Sequence, residues 1–109
     1  MPISLDALYL GENRMSGIAI IVEYEPLPGE GAELLRRVKQ SAAQCLREDG
    51  CLRMEVFAPE GAAPNLVLSE LWRDEAALKV HRAQPGHAQQ HAFIDELCQA
   101  KRVLRGSVL

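Results

Sequence analysis

The sequence predicts an α+β fold, an antiparallel sheet with helices on one face, and three observations predict it. Hydrophobic periodicity alternates between two and about 3.6 residues along the chain, in the order β-α-β-β-α-α-β. Turn chemistry marks the switches, at Pro26-Leu27-Pro28-Gly29, Asp49-Gly50, Pro59 to Asn65 and Pro85-Gly86. A length of 109 residues with 48% hydrophobic content fits one compact domain whose core is modest for its surface. Together these define the ferredoxin-like split βαβ plan.

Residues 1 to 16 do not continue the pattern that follows and are expected to form an N-terminal extension, with residues 17 to 109 as the domain. If ordered, Leu5, Leu8, Tyr9 and Leu10 would need an apolar surface to cover. Gly17 to Tyr24 is rich in aliphatic and β-branched residues, and the rigid Glu25-Pro26-Leu27-Pro28-Gly29 cluster stops it as a first strand. From Glu30 to Arg47, Leu34, Leu35, Val38, Ala42, Cys45 and Leu46 recur three and four apart among charged residues, which predicts an amphipathic helix. Asp49-Gly50 closes it, because glycine reaches the left-handed conformation without strain. Cys51 to Ala58 alternates Leu52, Met54 and Val56 against Arg53, Glu55 and Phe57, a second strand. A third strand from Leu66 to about Trp72 or Arg73 completes a hairpin with it. Asp74 as N-cap and Glu75 in the first turn open a short helix ending near His81. Another helix, from His87 to roughly Ala100, carries Ala88, His91, Ile94, Leu97 and Cys98 near one face, and a last strand runs from Arg102 to Leu109.

The sheet face turned away from the helices is too apolar for water, with Ile21, Phe57, Val67 and Leu71 on it. A homodimer whose two sheets face each other is the economical expectation. A net charge of −3 without a basic stripe argues against a nucleic-acid partner. The longest apolar run, Ile18 to Val22, is too short for a bilayer, and Asp6 and Glu12 do not suit a signal peptide, so no membrane partner and a cytoplasmic location are expected. Cys45, Cys51 and Cys98 lack CxxC or Cys/His ligand spacing, which makes them packing thiols rather than a disulfide framework or a zinc site.

The candidate site begins in the third strand. Leu66, Leu68, Glu70 and Trp72 project from one face at period two, so Glu70 lies among apolar neighbours. An ionised group buried there costs several kcal/mol unless paired, which makes Glu70 either a structural hydrogen-bond partner, for instance of a backbone amide or Arg53, or a chemically useful carboxylate. Glu48, at a helix end where the macrodipole disfavours it, suits a basic partner across the dimer. His87 and His91 have the H-x-x-x-H spacing of metal ligands, but no carboxylate or cysteine obviously joins them, so a solvated helical face is expected and no metal.

Glu48-Asp49-Gly50-Cys51-Leu52, Leu68-Ser69-Glu70-Leu71-Trp72 and Ala76-Ala77-Leu78-Lys79-Val80-His81, with the Pro28-Gly29 turn before the first helix, resemble the antibiotic biosynthesis monooxygenase domain in order and spacing over about residues 17 to 105. The resemblance implies a dimeric α/β barrel of ferredoxin-like subunits. It also implies a choice of chemistries, since the family includes cofactor-independent monooxygenases of quinols or anthrones, quorum-signal isomerases and haem-degrading enzymes.

The first of these is the leading expectation: oxidation of a quinol- or anthrone-like small aromatic by dioxygen, with no cofactor. Such chemistry needs a base, an anion-tolerant site and exclusion of water. His81 is the expected base, because imidazole titrates near neutrality, although a histidine at a helix C-terminus also serves simply as a favourable cation. Trp72 is expected to wall a flat substrate or to fill the core, and Glu70 to orient His81 or a substrate hydroxyl. Val22, Tyr24, Met54, Leu68 and Phe93 are expected to line the pocket, with Ile94 behind them. A small-molecule-binding dimer or a signal-molecule isomerase is the alternative. Haem degradation fits less well: His91 falls near the branch's ligand position, but His81 stands where a tryptophan belongs and no asparagine occurs from Gly17 to Glu25.

Overall fold

The computed structural model describes residues 17–109, so the expectation for residues 1–16 lies outside the described residues. Its elements are β1 (Ile18–Pro26), α1 (Gly31–Cys45), β2 (Cys51–Phe57), β3 (Leu66–Trp72), α2 (Glu75–Arg82), α3 (His87–Asp95) and β4 (Cys98–Ser107). The strands form one open antiparallel sheet in the order β2-β3-β1-β4. This is the ferredoxin-like α+β architecture that the periodicity predicts, and the sheet does not close into a barrel within the chain.

The inner sheet face and the helices share one core. Ile20, Val22 and Tyr24 of β1, Met54 of β2 and Leu66, Leu68 and Trp72 of β3 pack against Leu34, Val38, Ala42 and Cys45 of α1, Ala77 and Leu78 of α2 and Ile94 of α3. The spacing of the α1 residues brings them onto one stripe, while Leu35 and Leu46 fall off it and are exposed. At the start of α2 the Asp74 carboxylate accepts the Ala77 N–H at 2.8 Å, the N-cap that the sequence promises.

The C-terminal boundary differs from the expected one. Helix α3 stops at Asp95 rather than near Ala100, and β4 begins at Cys98, four residues before Arg102. A register shift between Glu25 and Pro26 pairs Ala100 and then Cys98 with β1, and the Leu27 N–H donates to the Leu97 carbonyl at 2.8 Å. Leu97 and Cys98, whose spacing from Ile94 reads as helical, therefore pack on the core from a turn and the start of a strand.

On the outer sheet face, Ala19 and Ile21 of β1 lie opposite Leu71 and Ser69 of β3, with Phe57 of β2 and Leu104 of β4 on the flanking strands. Phe57 and Leu104 are 50% and 62% exposed, well above what an aromatic and a leucine have in a core. Val67 lies on this outer face as expected, but it is already buried within its own chain; it lies opposite Glu23, which Asn65 and Arg102 hold at 2.9 Å each.

Candidate functional site

A cavity of about 230 Å³ opens between the inner sheet face and the three helices. Its floor is apolar: Ile20, Val22 and Tyr24 come from β1, Met54 from β2, Leu68 from β3 and Val38 and Ile94 from the helices above. Burial pushes the Tyr24 phenol well above its ordinary range, with the charge of Glu70 adding to the effect, so Tyr24 stays neutral. The rim carries His81 and Arg82 of α2, His87, His91 and Asp95 of α3 and Lys101 of β4.

His81 is 9% exposed, and two groups fix its ring. The Trp72 indole stacks on one side, with centroids 4.4 Å apart. The Glu48 carboxylate meets Nδ1 at 2.9 Å, reaching it from the turn between α1 and β2. A carboxylate only accepts hydrogen bonds, so the Nδ1 position carries the proton and donates it to Glu48. In the neutral ring the lone pair is then on Nε2, the arrangement of a general base.

Local chemistry explains how Glu48 comes to this place. Gly50 closes the turn with a φ of 87°, in the left-handed region that a side chain adopts only under strain. A Cβ there would also overlap the Ala77 Cβ, so α2 packs directly on the turn. The Arg73 N–H donates to the Gly50 carbonyl at 2.8 Å, tying the turn to the end of β3. The Glu48-to-Cys51 turn is thus docked against the helix that carries His81.

Glu70 does something else. Its Oε1 accepts the Trp72 indole N–H at 2.9 Å, two residues along the same face of β3. Burial raises the Glu70 carboxyl pKa, and the indole hydrogen bond and the His81 charge only partly offset this. The expected hydrogen bond from Glu70 to His81 is replaced by these two separate pairs, Glu70 with Trp72 and Glu48 with His81. Nor does Arg53 reach Glu70: it projects from the opposite sheet face, 3.6 Å from Glu55. Glu48 pairs within its own chain rather than across a dimer, because the α1–β2 turn brings it over α2.

The remaining predicted site residues separate cleanly. Val22, Tyr24, Met54, Leu68, Glu70, His81 and Ile94 line the cavity. Trp72 does not wall it: with no exposed surface, it lies behind His81 and holds that ring from the core side. Phe93 is 42% exposed, on the outside of α3 under the Arg37 guanidinium at 5.2 Å, since the turn of α3 that buries Ile94 points its neighbour away. His91 is exposed, as the solvated face expected of the pair requires, and His87 is half-buried; their rings also follow on from Trp72 and His81, with centroids 4.7 Å from His81 to His87 and 4.2 Å from His87 to His91. Desolvation and the neighbouring His91 and His81 push His87 down to about 4, and partial desolvation followed by Lys101 lowers His91 at the rim. Their i, i+4 spacing is the signal in the sequence; what it lacks is the position of the short α2–α3 connection, which folds α3 back over His81.

Cys45 also lines the cavity, and its sulfur, a Glu48 oxygen and a His81 nitrogen lie within 4.8 Å of one another. These are metal-ligating residue types, yet the donors are otherwise engaged. Burial, followed by the Glu48 charge, pushes the Cys45 thiol up to about 12, and Glu48 and His81 satisfy each other. The trio is a hydrogen-bonded carboxylate–imidazole pair beside a neutral thiol.

Fold and site define a class: a ferredoxin-like α+β domain with a carboxylate-held histidine over an apolar cavity. The family model for antibiotic biosynthesis monooxygenase matches residues 17–102, and the chain belongs to that family. Among solved structures it is similar to SnoaB, a cofactor-independent oxygenase from Streptomyces nogalater, at 18% identity and a TM-score of 0.76, over 85% of this chain and 93% of that one. It is likewise similar to Rv0793 from Mycobacterium tuberculosis, at 26% identity and a TM-score of 0.78, over 86% and 96% of the two chains. The SnoaB likeness speaks for the fold alone. No curated protein is similar enough to this chain to count as a match. No helix among the described residues is long and apolar enough to cross a membrane.

Proposed function

We propose that the protein is a cofactor-independent monooxygenase of a small quinol-like aromatic, with His81 as its base. The observation that carries this reading is the Glu48–His81 pair, which leaves Nε2 free of a protein partner among the described residues while the ring itself lines the cavity. Nε2 takes a proton from a phenolic hydroxyl, and the resulting anion gives one electron to dioxygen. Recombination adds oxygen to the ring. In sum a dihydroxyarene and O2 become a hydroxyquinone and water, with every electron supplied by the substrate. The apolar floor keeps water from the radical pair, and the neutral Tyr24 phenol and the Glu70 carboxyl, both lining the cavity, are positioned to hydrogen-bond a substrate oxygen. At about 230 Å³ the cavity lies below the ~300 Å³ at which ordinary ligand pockets begin, which favours a one- or two-ring quinol over a polycyclic anthrone.

The rim supports a second reading. His81, His87, His91, Asp95 and Lys101 crowd titratable groups around the mouth, as an isomerase of a small polar carbonyl compound requires. Dioxygen consumption separates the two. With the purified protein and a panel of hydroquinones, uptake is expected to fall ~10²- to 10⁴-fold in His81→Ala. Uptake that survives the substitution sinks the base assignment, and the absence of uptake from every hydroquinone favours the isomerase.

The same reading includes a homodimer joined through the outer sheet faces, supported by Ile21, Phe57, Leu71 and Leu104 on one open surface. Sedimentation is expected to give twice the chain mass, and Leu104→Arg to shift it towards the monomer; a monomeric native protein would rule the dimer out.

A further inference from the structure

The rim of the cavity is built differently from its floor. Arg82, His87, His91 and Lys101 bring four basic side chains to one edge, from the end of α2, one face of α3 and the start of β4. The acidic groups facing them are Asp95, engaged by Lys101 at 2.9 Å, Glu48, engaged by His81, and Glu70, engaged by Trp72. Arg82 makes no ion pair among the described residues. The mouth therefore sets an arc of donors over an apolar floor: the imidazoles of His87 and His91, Lys101 paired with Asp95, and the Arg82 guanidinium, the one cation of the four without an ion pair among the described residues, while each carboxylate near it already has a partner.

We infer that this arc binds an anionic group, a carboxylate or phosphate, carried by the same small aromatic whose ring occupies the apolar floor. The inference rests on the proposed function only for the identity of the cavity, and it adds a substrate class: acidic hydroxyarenes rather than neutral quinols. Arg82 offers the fork geometry that holds two oxygens of such a group, and the imidazole N–H groups of His87 and His91 add single donors. His87 meets the His81 ring edge-on at 4.7 Å and His91 lies tilted against His87 at 4.2 Å, so the three imidazoles form one contiguous group at the mouth. His87 is pushed down first by desolvation and then by the nearby charges of His91 and His81, with Glu48 opposing them and Arg82 adding a smaller effect of the same sign. An anion arriving at the rim opposes the neighbouring positive charges and favours a proton on the ring.

The test is equilibrium binding of 2-naphthoate, 2-naphthamide and 2-naphthyl phosphate to the full chain by calorimetry, without dioxygen turnover. Naphthoate is expected to bind roughly tenfold or more tighter than the isosteric neutral amide, and Arg82→Gln, at an exposed position, to remove most of that preference. Naphthoate affinity should rise as pH falls from 8 towards 5 with proton uptake on binding, while amide affinity stays flat; His87→Asn should flatten the naphthoate profile. Tighter binding of the phosphate than of naphthoate would make a phosphate ester the anion. Equal affinity for acid and amide, no binding of any of the three, or a preference that survives Arg82→Gln and His87→Asn together would overturn the inference. Since no step consumes dioxygen, an inactive His81→Ala protein that still prefers naphthoate would separate this site from the oxygenase reading.

Discussion

Two carboxylates near the cavity, one in the α1–β2 turn and one in the middle of β3, have opposite fates. Glu70 is the conspicuous one in the sequence, a charge in an apolar alternation, and the fold answers it locally with the indole N–H two residues away. Glu48 sits in an unremarkable run of polar residues after a helix, and it holds the buried imidazole of the cavity by Nδ1, leaving its Nε2 free. Distance along the chain accounts for the contrast. A period-two strand shows which side chains share a face, so a pairing within β3 is near the surface of the sequence. The Glu48–His81 pair spans 33 residues and depends on how α2 docks on the turn at Gly50.

The largest effect that tests this contrast is on turnover. Glu48→Gln keeps the size of the side chain but lets the amide either donate or accept, so it no longer fixes the proton on Nδ1. Hydroquinone-dependent dioxygen uptake is expected to drop ~10²-fold, less than the loss seen when a fully buried triad carboxylate is replaced, because Glu48 is partly solvated. Glu70→Gln, measured beside it, should leave uptake within a few-fold. Reversed magnitudes would show that the β3 carboxylate, not the turn, controls the base.

An intermediate effect falls on the docking that makes the pair possible. Gly50→Ala places a side chain at a φ of 87° and against the Ala77 Cβ, so both backbone strain and the contact with α2 oppose it. A loss of about 2 kcal/mol in urea unfolding is expected from the left-handed conformation alone, together with weaker uptake as His81 shifts from Glu48. A variant as stable as the native protein would show that the turn relaxes without cost.

Much of the fold was legible because its signals are local. β3 and the Asp74-capped start of α2 lie where alternation and capping put them, and Leu34, Val38, Ala42 and Cys45 of α1 are buried as their spacing predicts. The α3–β4 boundary was not, since Leu97 and Cys98 keep helical spacing from Ile94 while a bulge at Glu25 and Pro26, on another strand, captures them. In the site, the floor followed from strand periodicity. The rim did not: placing His87 and His91 over His81, and Phe93 outside, requires the angle at which α3 folds back, and a nine-residue helix with weak amphipathicity leaves that undetermined.

The smallest expected effect concerns stability, and it sharpens the contrast from the other side. Burial raises the folded-state pKa of Glu70, so the native state favours the protonated carboxyl more than the unfolded chain does. Its contribution is therefore fully present below the ordinary carboxylate range and is lost as pH rises through the elevated value. Glu70→Gln removes that titration while its amide oxygen still accepts the Trp72 N–H. Unfolding free energies measured from pH 4 to 8 should show the native protein losing stability relative to the variant across the lower part of that range, with the variant ahead by about 1 kcal/mol at pH 7, the scale of one net hydrogen bond. A variant less stable than the native protein at pH 7 would mean that the ionised carboxylate strengthens the indole hydrogen bond by more than its burial costs. Glu70 would then be a charged structural anchor, and the two carboxylates would differ in their partners but not in their charge.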